Sequence, residues 1–264
     1  MDYENVLYEQ RGPVTLITID RPERMNAIDA RTHRELIDAW DRFREDDDAL
    51  VAVLTGAGDR AFCAGGDLKA AFADEDSAID PSAAELAAHA RGERPGVLGP
   101  SRWTDLYKPT IAAVNGVAYA GGLEWACWTD MCVADEHATF GVTCRRWNIG
   151  LADGGTQRLP RIVGFRRAMD LIVTGRVIDA DEALAIGLVS ALHPAGDLLA
   201  AAHAIADRIA RNDAAATMAT KRVFRAPRGS HPRADLEEQA VLFESPDKHR
   251  RMTDFLDRRG RTQS

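Results

Sequence analysis

The chain is poor in cysteine. Its four thiols, Cys63, Cys127, Cys132 and Cys144, form no C-x-x-C pair and have no histidine at zinc spacing. Neither a metal knuckle nor a disulfide framework is therefore expected, and the free thiols point to the cytoplasm. An apolar leader is not expected, since the first residues, Met1-Asp-Tyr-Glu-Asn-Val6, are charged and polar. The longest apolar stretch, Thr110 to Trp128, is interrupted by Asn115, three glycines and Glu124, so it reads as buried strand, loop and helix rather than a membrane span. Positive charge is in deficit, with 33 Lys+Arg against 41 Asp+Glu and a formal net charge of −8. General nucleic-acid binding needs a net basic surface and is excluded on that ground. Neither an internal repeat nor a low-complexity segment stands out.

What is present is an ordinary globular composition: 264 residues, 45% hydrophobic, 28% charged. Such a length supports a large core. The charge is unevenly spread, with 13 basic and 26 acidic side chains in residues 1–139 and 20 and 15 in residues 140–264. Val14-Thr-Leu-Ile-Thr-Ile-Asp20 alternates as a strand, and Arg21-Pro22 ends it. Asp29 suits the N-cap of a helix that places Leu36, Ile37, Trp40 and Phe43 at helical spacing. Three short apolar runs, at Val51–Thr55, Ile111–Val114 and Met131–Ala134, read as buried strands, which with intervening helices indicates an α/β core. A short helix and a loop covering a site are expected between Ala70 and Thr104, and mainly helix after Asn148, ending in an arginine-rich amphipathic helix at 246–259.

One fingerprint is rejected. Gly56-Ala-Gly58-Asp-Arg-Ala61 fits G-x-G-x-x-A, but Phe62-Cys-Ala-Gly-Gly66 continues irregular backbone where a dinucleotide site needs a helix to start. Two other glycine turns carry more. Ala61-Phe-Cys-Ala-Gly-Gly-Asp67-Leu-Lys69 and Ala113-Val-Asn-Gly-Val-Ala-Tyr-Ala-Gly-Gly122-Leu-Glu124 each follow a buried strand and lead into a helix. Glycine lets backbone N–H groups approach a ligand, and a helix start adds partial positive charge. Two such donors converging would make an oxyanion hole for a carbonyl; the plain alternative is two tight strand-to-helix turns. Glu124, in Leu123-Glu-Trp-Ala-Cys-Trp128, has an apolar setting that raises a carboxyl pKa toward neutrality; alternatively it is a first-turn acid stabilising a helix N-terminus.

These segments resemble the crotonase, or enoyl-CoA hydratase/isomerase, family. The likeness runs from Asp20-Arg-Pro-Glu-Arg-Met-Asn-Ala27 through both glycine turns, Phe140-Gly141 and Gly154-Gly-Thr-Gln-Arg-Leu-Pro160, to Leu171-Ile-Val-Thr-Gly175 and Ala180-Asp-Glu-Ala183 with Gly187-Leu-Val189. It implies an α/β fold with a crotonase-like ββα superhelical core at 1–195 and a C-terminal helical oligomerisation region at 196–264, assembled as trimers or dimers of trimers. It implies an acyl-CoA thioester as substrate, with CoA part of that substrate, no further cofactor, no metal, no nucleic acid and no membrane. The oxyanion hole would come from the amides of Gly66 and Gly121, and Glu124 would be the general acid/base. CoA contacts would come from Arg24, Met25, Ala27, Ala64, Gly65, Asp67, Leu68 and Lys69; for Arg24 and Lys69 the alternative is a solvated surface cation.

The chain departs from the family pattern at one point. Hydratases carry a second glutamate four residues beyond the Phe of Phe140-Gly141, and here that position is Cys144. A mostly neutral thiol does not orient water as a carboxylate does, so Cys144 reads first as a small apolar wall. Asp153, in Gly150-Leu-Ala-Asp-Gly-Gly-Thr156, is the candidate substitute, its alternative being an N-cap for the following helix. The leading expectation is reversible hydration of a 2-enoyl-CoA. Double-bond isomerisation, which one carboxylate can carry out, and non-catalytic acyl-CoA binding are the alternatives. The loop at 91–103, with Trp147, is expected to shape the acyl pocket, and His89, His137 and His231 to be solvated or structural.

Overall fold

The structure is a computed structural model that describes residues 3–73, 96, 98–147, 149–225, 250 and 253. Apart from residues 250 and 253, the expected amphipathic helix at 246–259 lies outside these residues, as do His89, His231 and positions 91–95 and 97 of the loop at 91–103. Contacts divide the chain into two compact units, Met1–Arg211 and Asn212–Ser264. In the second unit one helix is described, Ala214–Arg225.

The first unit is built on a six-stranded sheet in the order β1-β2-β3-β5-β7-β10. Its strands are β1 (Val6–Arg11), β2 (Val14–Ile19), β3 (Val51–Gly56), β5 (Thr110–Val114), β7 (Met131–Asp135) and β10 (Leu192–His193). β1 and β2 form an antiparallel hairpin, and the remaining pairs run parallel. The apolar runs of β2, β3 and β5 are fully buried because a parallel sheet is covered on both faces. Val14, Leu16, Val51, Val53, Ile111, Ala113 and Val133 pack on one face with Leu198, Ala202 and Ala206 of a helix spanning Leu198–Ala210. Ile17, Ile19, Ala52, Leu54, Ala112 and Val114 point to the other face and join the larger core.

That larger core holds helix α1 (Ala30–Glu45), whose N-cap Asp29 accepts a hydrogen bond from the Thr32 amide. It buries Leu36, Ala39, Trp40 and Phe43. Trp40 stacks on Trp125 at 6.0 Å and meets Trp128 edge-on at 4.9 Å. A second sheet, in the order β4-β6-β8-β9, is formed by β4 (Ala61–Cys63), β6 (Val117–Tyr119), β8 (Thr139–Gly141) and β9 (Val177–Asp179). After β3 the chain enters β4 and not a helix, so the Gly56–Ala61 fingerprint has no helix to place a pyrophosphate on.

The region after Asn148 is less uniformly helical than its composition suggests. Helices at Gly155–Val163 and Phe165–Thr174 are followed by β9, which closes the second sheet antiparallel to β8, and later by β10 on the first. These strands have three and two residues, too short to show a period in the sequence. Among the described residues no helix is long and apolar enough to cross a membrane.

Candidate active site

Two strand-to-helix turns meet at the end of the second sheet. The first follows β4: Ala64 donates to the Met25 carbonyl at 3.1 Å, Ile28 donates to the Gly65 carbonyl at 2.8 Å, and Asp67 donates to the Ile28 carbonyl at 2.9 Å. Asp67 then caps the helix α2 (Leu68–Ala73) through Oδ1, which accepts from the Lys69 and Ala70 amides. The second turn follows β6, where Ala120 has a φ of +48° and the helix α3 (Gly121–Trp128) begins. A Cβ built on Gly65 would stand 3.0 Å from the Gly121 amide nitrogen, so the two turns touch through glycine. Among the described residues, the amides of Gly66 and Gly121 have no protein acceptor. Two uncommitted donors at adjoining turns, one of them at a helix N-terminus, fit an oxyanion.

Glu124 lies on the first turn of α3, three residues after Gly121, and is only 3% exposed. The helix is buried all round, so the carboxyl faces protein. Its Oε1 accepts from the amides of Gly155 at 2.7 Å and Asp153 at 2.9 Å. Burial, and next the neighbouring Asp153 charge, push its pKa up to about 8, against the opposing pull of those two amides. A group of this kind exchanges protons near neutral pH. A Cβ on Gly155 would stand 2.7 Å from Glu124 Cγ, so only glycine lets this loop lie against the acid.

Asp153 is 1% exposed, and its side chain does not cap the following helix. The N-cap there is Gly154, with no side-chain cap bond. Asp153 Oδ1 instead accepts from the Leu98 amide at 3.2 Å and from the Ser101 hydroxyl. Gly99 donates to His33 Nδ1 at 2.8 Å, so segment 98–101 is held from two sides. Leu98 lies between the glycine turns: a Cβ on Gly121 would collide with its Cδ1, and one on Gly66 would stand 3.6 Å from its Cδ2.

Cys144 sits in a 3-10 turn, Thr143–Trp147, buried within the large apolar cluster. Burial raises its thiol pKa, which keeps it neutral. It therefore places no charge near Glu124. Cys63 and Cys127 are likewise buried, their thiols pushed up to about 12.

The expected CoA-contacting residues gather around the first turn. Arg24 and Lys69 are exposed, as is Leu68 at 41%. Met25 has a φ of +55° and Ala27 is buried. Asp67 is committed to an ion pair with Arg21 at 3.2 Å, which makes it a support of the turn. Sequence reasoning missed the residues that hold this corner. Asn26 accepts from the Arg21 amide through Oδ1, and its Nδ2 donates to the carbonyls of Ala57 and Ala61. Arg21 donates to the Ala27 carbonyl at 2.6 Å and pairs with Asp29 at 3.0 Å. A buried asparagine inside Arg24-Met-Asn-Ala27 was the available signal, because a buried amide must find partners. His137 is structural: its ring bonds Asp135 at 2.6 Å and the Asp59 carbonyl at 2.9 Å.

Comparison with known proteins fits this geometry. The sequence model of a family described as enoyl-CoA hydratase/isomerase matches residues 9–262. Carnitinyl-CoA dehydratase of Proteus mirabilis is 38% identical over 216 residues, covering 82% of this chain and 78% of that one. Short-chain-enoyl-CoA hydratase of Clostridium acetobutylicum is 35% identical over 268 aligned residues, covering 98% and 97%. Among solved structures, an enoyl-CoA hydratase from Bacillus anthracis superposes with a TM-score of 0.83 at 30% identity, covering 97% of each chain. One from Mycobacterium tuberculosis does so at 0.82 and 35% identity, covering 96% of each.

Proposed function

Because the chain belongs to the enoyl-CoA hydratase/isomerase family and shares its fold, we propose that it adds water reversibly across the double bond of a 2-enoyl-CoA. The observation that carries this is one buried carboxyl, Glu124, a single helical turn from the uncommitted amide of Gly121, whose turn adjoins the one carrying the uncommitted amide of Gly66. The thioester oxygen accepts from both amides, which lowers the energy of the enolate formed when C3 is attacked.

Proton accounting needs only Glu124. In its ionised form it takes a proton from water as the water oxygen bonds to C3 and the C2–C3 π electrons shift toward the thioester oxygen. The enolate then collapses, and C2 takes the same proton back from Glu124. The sum is one H and one OH added, with the carboxylate regenerated. Dehydration is the reverse, with Glu124 removing the C2 proton and returning it to the departing hydroxide. Cys144 is neutral and contributes no proton. Asp153 acts through Glu124, raising its pKa and fixing segment 98–101, and so is a positioning residue.

CoA is the carrier part of the substrate and no further cofactor takes part in these steps. Arg24 and Lys69, both exposed, would meet its phosphates, and the Met25–Ala27 and Ala64–Leu68 backbone its adenine. An exposed apolar stripe on helix Phe165–Thr174, formed by Phe165 (69%), Met169 (43%) and Val173 (66%), supports self-assembly as a trimer or pair of trimers. Within the expected oligomerisation region 196–264, helix Leu198–Ala210 packs on the six-stranded sheet, which leaves residues 212–264 for assembly, and buried free thiols suit a cytoplasmic protein.

Incubation with crotonyl-CoA tests the reading. Loss of the conjugated thioester absorbance is the expected result. Gain of that absorbance from a 3-enoyl-CoA, with none lost from crotonyl-CoA, would make the protein an isomerase instead. Binding of both esters without turnover would make it an acyl-CoA-binding protein.

A further inference from the structure

We propose that Leu98 sets the substrate range, by limiting the bulk the acyl group can carry at C2, the carbon next to the thioester. The inference rests on the hydratase reading for the position of the thioester. Leu98 is 6% exposed, and its two methyls lie one against each glycine of the oxyanion cradle, Cδ1 at Gly121 and Cδ2 near Gly66. A carbonyl oxygen bonded to both amides puts C1 within a few ångströms of those methyls, and C2 is one bond further. The backbone that carries it is held in place. Its own amide is bonded to Asp153, the next residue to His33, and Ser101 again to Asp153. Asp153 in turn donates its amide to Glu124, so the wall and the acid are fixed by the same residue. An acyl group unbranched at C2 passes this wall, and a C2 methyl meets it. One methylene in an apolar pocket changes selectivity by about 10- to 200-fold.

The experiment measures kcat/KM for crotonyl-CoA and for 2-methylcrotonyl-CoA in the unaltered protein and in Leu98→Ala and Leu98→Val. Dissociation constants for butyryl-CoA and 2-methylbutyryl-CoA are measured alongside, with circular dichroism melting to confirm folding. The preference for the unbranched ester is expected to fall by on the order of tenfold in Leu98→Ala, and by less in Leu98→Val. A preference unchanged within about twofold in a folded variant, in both rates and affinities, overturns the proposal; twofold is small beside the methylene effect. Failure to turn over crotonyl-CoA would overturn the hydratase reading alone, since the affinity ratio still reports on Leu98. If Leu98→Ala does not fold, Leu98→Val, which removes one methylene, carries the same comparison.

Discussion

At the scale of single residues, burial and a second carboxylate keep a proton on Glu124 up to about pH 8, although its ordinary value is 4.5. The ionised form is the one that accepts a proton from water, so kcat/KM for hydration is expected to rise with pH and level off above about 8. Asp153→Asn removes the neighbouring negative charge and is expected to shift that rise to lower pH; an unmoved profile with lower stability would make Asp153 purely structural. The same shift links to folding. Between pH 4.5 and 8 native Glu124 holds a proton that the unfolded chain has released, so stability falls as pH rises through this window. Glu124→Gln is expected to flatten that fall, as read by urea denaturation at pH 5, 7 and 8.5. Glu124 was legible in the sequence because it lies three residues from Gly121 in an apolar stretch. The loop at 91–103 was expected at the acyl pocket, but the bonding partners of Leu98, Ser101 and His33 were not legible, since they lie 55, 52 and 66 residues away. Spacing along the chain carries no trace of such contacts.

At the scale of elements, the glycine turns separate folding from catalysis. A Cβ on Gly122 would strike the Cys63 backbone carbonyl, whereas one on Gly121 meets only the end of the Leu98 side chain. Gly122→Ala is therefore expected to cost about 1–3 kcal/mol or prevent folding, as overpacking against backbone does. Gly121→Ala is expected to keep most of its stability and lose turnover; melting curves and the crotonyl-CoA assay distinguish the two. Asn26→Ala strips partners from the Arg21 amide and the Ala57 and Ala61 carbonyls, and about 1–3 kcal/mol of stability is the expected loss. The strands β2, β3, β5 and β7 could be read from the sequence because a sheet covered on both faces needs unbroken apolar runs. α1 was equally plain, from its Asp29 cap and the spacing of Leu36, Trp40 and Phe43. β9 and β10 escaped, since pairing with a neighbour, and not their own composition, makes them strands.

For the whole molecule, a net charge of −8 does not conflict with an anionic ligand such as CoA. Net charge acts at long range, while in the proposed complex the thioester would meet glycine amides and a helix start, and the phosphates local cations. The proposed self-assembly through helix Phe165–Thr174 predicts that the double variant Phe165→Glu, Val173→Glu dissociates, with light scattering showing the monomer mass. An unchanged mass would remove this helix from the interface. The most direct test of the chemistry is Glu124→Gln, assayed with crotonyl-CoA and titrated with butyryl-CoA. Turnover is expected to fall by roughly 100- to 10,000-fold, the range of general acid–base catalysis, with affinity for the CoA ester kept within a few-fold. Turnover equal to that of the unaltered protein would contradict the assignment of Glu124 as the proton-transferring group.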